Sequence, residues 1–161
     1  MKHLPLLLAA ALICVAAPLA ASDKRSNQVT NKTTHINPPN MMSSPAFSQA
    51  VKVKAGTDLL FIGGQNSVDA TGKIVAPGDL KGQTIQALKN VTMILESEGL
   101  KLSNVVKWNI HIVQGSPVKD GYEAFQQVWD KRAKPPAITV VVVSSFGNPE
   151  YLVEIDAVAA Y

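Results

Sequence analysis

The chain is poor in cysteine. Its single cysteine, Cys14, lies in an apolar run near the start, so everything after that run lacks disulfide and thiol chemistry. Stability there must come from a packed core and from subunit contacts; an oxidising compartment permits disulfides without requiring them. Charge is sparse as well, with Asp, Glu, Lys and Arg making up 17% of the residues and aromatics 6%. The formal charge is +3, one unit of it from Lys2, and residues such as Lys24, Arg25, Lys101, Lys107, Lys131, Arg132 and Lys134 are scattered or briefly clustered. Broad basic stripes interleaved with aromatics are missing, which argues against a nucleic-acid partner. No apolar run reaches the roughly 20 residues of a membrane span. With only three histidines, well separated, and no further cysteine, no metal site is expected. Gly63-Gly64 lacks the lysine and helix of a phosphate loop, and no nucleophile elbow for a serine hydrolase is present.

What is present begins with a targeting pattern. Lys2 and His3 precede an apolar run from Leu6 to Ala17, and Ala20-Ala21-Ser22 supplies small residues for cleavage before Asp23. Residues 1–22 therefore read as a signal peptide, and the protein as periplasmic or secreted, with no membrane attachment once the leader is removed. Ile13 before Cys14 disfavours lipidation of that cysteine. Residues 23–43 are rich in Ser, Asn, Thr and Lys without apolar periodicity and read as a flexible arm. Residues 44–161 are then one domain, large enough to bury a core.

Within that domain, Ala50-Val51-Lys52-Val53-Lys54 alternates like a half-buried strand, and Leu59-Leu60-Phe61-Ile62 reads as a more fully buried one. Asp79 is a good N-cap for a helix whose stripe is Leu80, Thr84, Leu88, Val91 and Leu95, closed by Gly99. Val105 to Val113 reads as a strand with Val106, Trp108, Ile110 and Ile112 on one face and Lys107, Asn109 and His111 on the other. A second helix is expected from about Gly121 to Arg132, with Tyr122, Phe125, Val128 and Trp129 inward. Pro135-Pro136 forces an extended entry into Ile138–Val143, and Tyr151–Ala159 is the last strand. The order β-β-α-β-α-β-β implies an α+β fold: a mixed sheet with two helices packed on one face.

Acids inside an apolar strand are costly unless paired or used, so Glu154 and Asp156 ask for an explanation. A structural carboxylate at the sheet end and a catalytic one are both open readings of Glu154, whereas Asp156 reads as structural. His111, beside Asn109 on the polar strand face, reads as a hydrogen-bonded interface histidine.

Several motifs occur together in order. They are Phe47-Ser48-Gln49-Ala50-Val51, Phe61-Ile62-Gly63-Gly64-Gln65, Gln83-Thr84 to Leu95, Val105-Val106-Lys107, Pro136-Ala137 and Val153-Glu154-Ile155-Asp156-Ala157-Val158. In this combination the chain resembles the RidA/YjgF family of trimeric enamine/imine deaminases from about Phe47 to Ala159. The resemblance implies a homotrimer with a barrel-like centre and a small-molecule pocket between subunits, needing no cofactor. It implies Glu154 as the residue that positions or activates the attacking water, with Phe47, Gly63, Gly64, Gln126, Ile138 and Val140 lining the substrate site.

At one position the chain departs from that pattern. The family reads Pro-Ala-Arg where this chain reads Pro136-Ala137-Ile138, and the arginine there holds a substrate carboxylate. A buried charge-assisted hydrogen bond contributes roughly 1.5–3 kcal/mol, so a 2-imino acid should bind this site weakly. The expectation is hydrolysis of an enamine or imine that is neutral or apolar at that end. The alternative is a trimer that binds a small ligand or a partner protein without catalysis.

Overall fold

The computed structural model of the protein describes residues 32–130 and 133–161. The signal peptide and the first part of the arm expected from the sequence lie outside the described residues. Among the described residues there are two sheets. β1 (Thr33–Ile36) and β2 (Ala50–Val53) pair antiparallel as a separate ribbon, with His35 opposite Val51. β3 (Leu59–Gln65), β4 (Val105–Val113), β5 (Ala137–Val143) and β6 (Val153–Ala160) form the main sheet in the order β3-β6-β4-β5. β6 runs antiparallel to both β3 and β4, while β4 and β5 are parallel, joined by the crossover helix that parallel neighbours require.

The helices pack on one face, as the sequence implies. α1 (Leu80–Ser97) is capped by the Asp79 carboxylate, which accepts from the Lys81 N–H at 3.0 Å. It buries Leu80, Leu88, Val91 and Leu95. Gln83, also fully buried on α1, donates to Glu150 O at 2.9 Å and accepts from Leu152 N at 2.8 Å, fixing the entry to β6. The core between helices and sheet centres on Trp108, Ile155, Val153, Ala157 and Phe125. Trp108 and Phe125 meet edge to face with centroids 5.9 Å apart.

Four expectations need correction. Thr33–Ile36 belongs to a paired strand rather than to an irregular arm, because its alternation matches that of Ala50–Val53 and gives the ribbon one covered face. β3 is not fully buried: Phe61 is 73% exposed and Leu59 43%. β3 is an edge strand, and both side chains point to the sheet face that no helix covers. α2 spans Val118–Val128, starting earlier and ending sooner than expected, because Pro117 can occupy the N-cap and Trp129 turns extended. Tyr122, read as packing, is exposed on it.

A cleft at the sheet edge under the second helix

β4 and β5 run in register, Trp108 beside Ile138, Ile110 beside Val140 and Ile112 beside Val142. These side chains face the helices. α2 does not reach over the outer half of β5, so Val140 and Val142 stay 51% and 56% exposed although they lie on the core-facing side. The space between this edge and α2 is a cleft of about 430 Å³. Ile110, Ile138, Val140 and Ile155 form its floor, Tyr122 and Phe125 its helical wall, and Ala46-Phe47 its far side. A smaller hollow of about 310 Å³ shares Ala46, Tyr122 and Phe125 with it and includes Gln126 and Trp129, whose ring stacks on Phe125 at 5.7 Å.

The cleft is apolar. Among the described residues, its one charged lining residue is Lys119. The Lys119 amine stands 3.6 Å from the Glu123 carboxylate, to which Lys81 also bonds at 3.3 Å. The Lys81 hydrogen bond, followed by its charge and that of Lys119, holds the Glu123 carboxyl below its usual range. Gln126 donates to the Tyr122 hydroxyl at 2.7 Å, setting that ring's polar end beside the opening.

The remaining expected site residues lie elsewhere. Alternation along β6 turns Ile155 toward the helices and Glu154 to the open face of the sheet. There the Glu154 carboxyl leans over β3, where a Cβ on Gly64 would stand 2.6 Å from its Cδ and Oε1. Glycine at 64 therefore makes room for this carboxyl group, and Gly63 beside it is exposed. Glu154 has no hydrogen bond or ion pair among the described residues. Its cross-strand neighbour is His111, whose Nδ1 is buried without a partner among the described residues of the chain. Asp156 is structural as expected, accepting from Asn109 Nδ2 at 2.8 Å on the same face. The Lys107 amine caps the Thr139 hydroxyl one rung further along.

One chain thus gathers Phe47, Ile138 and Val140 in a cleft with Gln126 beside it, and places Gly63, Gly64 and Glu154 on the opposite sheet face. It does not bring the two groups together. Tyr122 and Lys119 were missed as site residues by sequence reasoning. The helical stripe Tyr122, Phe125, Trp129 looked like uniform core, and only the narrowness of the sheet beyond β5 leaves its first member uncovered. No group of His, Cys, Asp and Glu among the described residues could hold a metal ion.

A mixed four-stranded sheet carrying two helices on one face, with an apolar cleft at its edge, defines a small α+β domain with a ligand-sized opening. Residues 37–161 match the family described as Endoribonuclease L-PSP, and the chain belongs to that family, which includes the RutC and Rid proteins. A RutC family protein of Aquifex aeolicus is 40% identical over 114 residues, covering 70% of this chain and 87% of that one. The solved structure of YyfB of Yersinia pestis, a Rid family protein of unknown function, superposes with a TM-score of 0.72 at 32% identity, covering 81% of this chain and 99% of that one. Escherichia coli TdcF, solved with bound serine, superposes at 0.59 with 28% identity, covering 68% and 84%.

Proposed function

We propose that this protein hydrolyses a reactive enamine or imine whose far end is neutral or apolar, in a pocket shared between copies of the chain. One copy contributes the cleft with Ile138, Val140 and Phe47, and a neighbour in a homotrimer contributes Glu154 with Gly63 and Gly64. In this reading the Glu154 carboxylate takes a proton from water as its oxygen bonds to the C=N carbon. Glu154 returns that proton to the nitrogen, giving the carbinolamine. The carbinolamine's hydroxyl proton then passes to the nitrogen as the C–N bond breaks, releasing ammonia and leaving a carbonyl compound. An enamine first shifts a proton from nitrogen to carbon to become the imine. The open face of the sheet, with Phe61 bare, is the surface on which the copies meet. With the leader of residues 1–22 removed, the protein acts outside the cytoplasm.

The observation that carries this reading is the lining of the cleft. Ile138 stands on its floor among Ile110, Val140 and Ile155, where the family resemblance puts a carboxylate-binding arginine, and among the described residues the one cation lining the cleft is Lys119. TdcF, with serine bound, is a relative that takes a small amino acid, and this cleft favours a less polar molecule. The same lining speaks against RNA, which needs a cationic track. A second reading, a ligand-binding trimer without catalysis, is favoured by the separation of Glu154 from the cleft within one chain.

The experiment is ammonia release from imines generated in situ by an amino-acid oxidase, comparing wild type with Glu154→Gln. Activity lost in Glu154→Gln supports hydrolysis. Activity that survives in Glu154→Gln removes Glu154 from the reaction, and activity absent in both proteins while ligands still bind leaves the binding module.

A further inference from the structure

We infer that His35 and Ser48 are positioning residues for the cleft, tying its Phe47 side to its β5 side at a fixed separation. Ser48 directly follows Phe47, and Pro135 and Pro136 directly precede Ala137-Ile138. Two bonds join these stretches directly, and His35 adds a contact to each side. The Ser48 hydroxyl donates to Pro135 O at 2.6 Å, and the Ser48 N–H donates to Pro136 O at 2.9 Å. His35, on β1, approaches the same Pro135 O with Nδ1 at 2.9 Å and the Ser48 hydroxyl at 3.1 Å.

The chemistry of the partners makes this tie specific. Pro136 has no N–H, so at this point β5 cannot be held by an ordinary ladder bond from its own amide. The Pro135 carbonyl has two lone pairs, and Ser48 and His35 supply a donor for each. Bonding Pro135 O requires the imidazole hydrogen on Nδ1, which is available in both the neutral and the protonated ring. Ser48 is 3% exposed, so a competing water has little access to its hydroxyl. The β1–β2 ribbon is separate from the main sheet, and at this node His35 is a side-chain link through which it bears on the entry to β5. Released from it, Ala46-Phe47 can swing away from Ile138 and the cleft widens.

The inference rests on the cleft being the ligand site, and the test separates the two. The full chain is labelled at its isoleucine methyl groups and titrated with indole, a neutral apolar probe, in wild type, His35→Gln, His35→Asn and Ser48→Ala. Asn presents its amide nitrogen where Nδ1 stands; Gln presents it one atom further out. The Ile94 methyl, on α1 away from the node, reports that each variant is folded.

The expected result is that His35→Gln and Ser48→Ala shift the Ile138 methyl resonance and weaken indole at least fivefold, while His35→Asn restores both. Wild-type affinity in all variants with an unmoved Ile138 signal overturns the inference. If indole does not bind wild type, the apolar-ligand reading of the cleft falls, and the ligand-free Ile138 shifts decide. Movement in Gln and Ala with recovery in Asn upholds the tie; no movement overturns it. If His35→Gln fails to fold, the contrast between His35→Asn and Ser48→Ala decides in the same way.

Discussion

Replacing Gly64 with alanine separates what the fold needs at this position from what chemistry would need. The added methyl would stand 2.6 Å from Glu154 Cδ and Oε1 and 2.8 Å from Cγ, well inside contact distance. The three nearest atoms it would meet all belong to Glu154, the end of a flexible side chain. Relief therefore comes from turning the Glu154 side chain about 30° off its rotamer, at a cost of about 0.5–1.5 kcal/mol, and the fold survives. The carboxyl group must move by about 1 Å, a misplacement that can cost on the order of 10²-fold when the group handles the attacking water. Chemical denaturation of Gly64→Ala should thus show a loss of no more than about 1.5 kcal/mol. Ammonia release should fall about as far as in Glu154→Gln, with little further loss in the double variant because the two act through one group. Wild-type turnover in Gly64→Ala would refute the placement of Glu154 as the working carboxylate.

Trp108→Ala removes the largest fully buried side chain and its edge contact with Phe125; denaturant titration should show a loss of about 3–5 kcal/mol. Phe61→Lys leaves the core untouched but charges the open sheet face, so the chain should stay folded by circular dichroism while, on the proposed assembly, sedimentation finds monomers where wild type gives trimers. Asp69 in the loop before α1 accepts from the Thr71 hydroxyl at 2.7 Å and from the Thr71 and Lys73 amides, bonds that hold its carboxyl below the usual range. A depressed folded-state value gives stability that is present above the unfolded value of about 3.9 and lost as pH falls through the folded one. Asp69→Asn should therefore be less stable than wild type at neutral pH, with the two thermal unfolding curves converging in acid.

The sequence made the main sheet and α1 legible because their signals are local. Asp79, the Leu80-to-Leu95 stripe and Gly99 mark α1, and Gly99 does take φ +70°. Alternation along β4 and β6 separates Trp108 and Ile155 from Asn109 and Asp156. What was not legible depends on distant parts of the chain. His35 sits in a polar stretch and becomes structural only because Pro135, 100 residues away, accepts from it. Phe61 reads as core by composition, and only the strand order makes it an edge residue on the uncovered face. Tyr122 shares its helical stripe with buried Phe125, yet the sheet ends before reaching beneath it. Ile138 was recognisable as a departure from the family pattern, but the wholly apolar floor around it follows from the β4–β5 register.

The most direct test of the account is ammonia release from a 2-imino acid and from a neutral imine, measured for wild type and Ile138→Arg. The account predicts wild-type preference for the neutral compound and a gain on the 2-imino acid in Ile138→Arg, as the guanidinium restores a partner for the carboxylate. Efficient wild-type turnover of the 2-imino acid, unimproved by arginine, would contradict it.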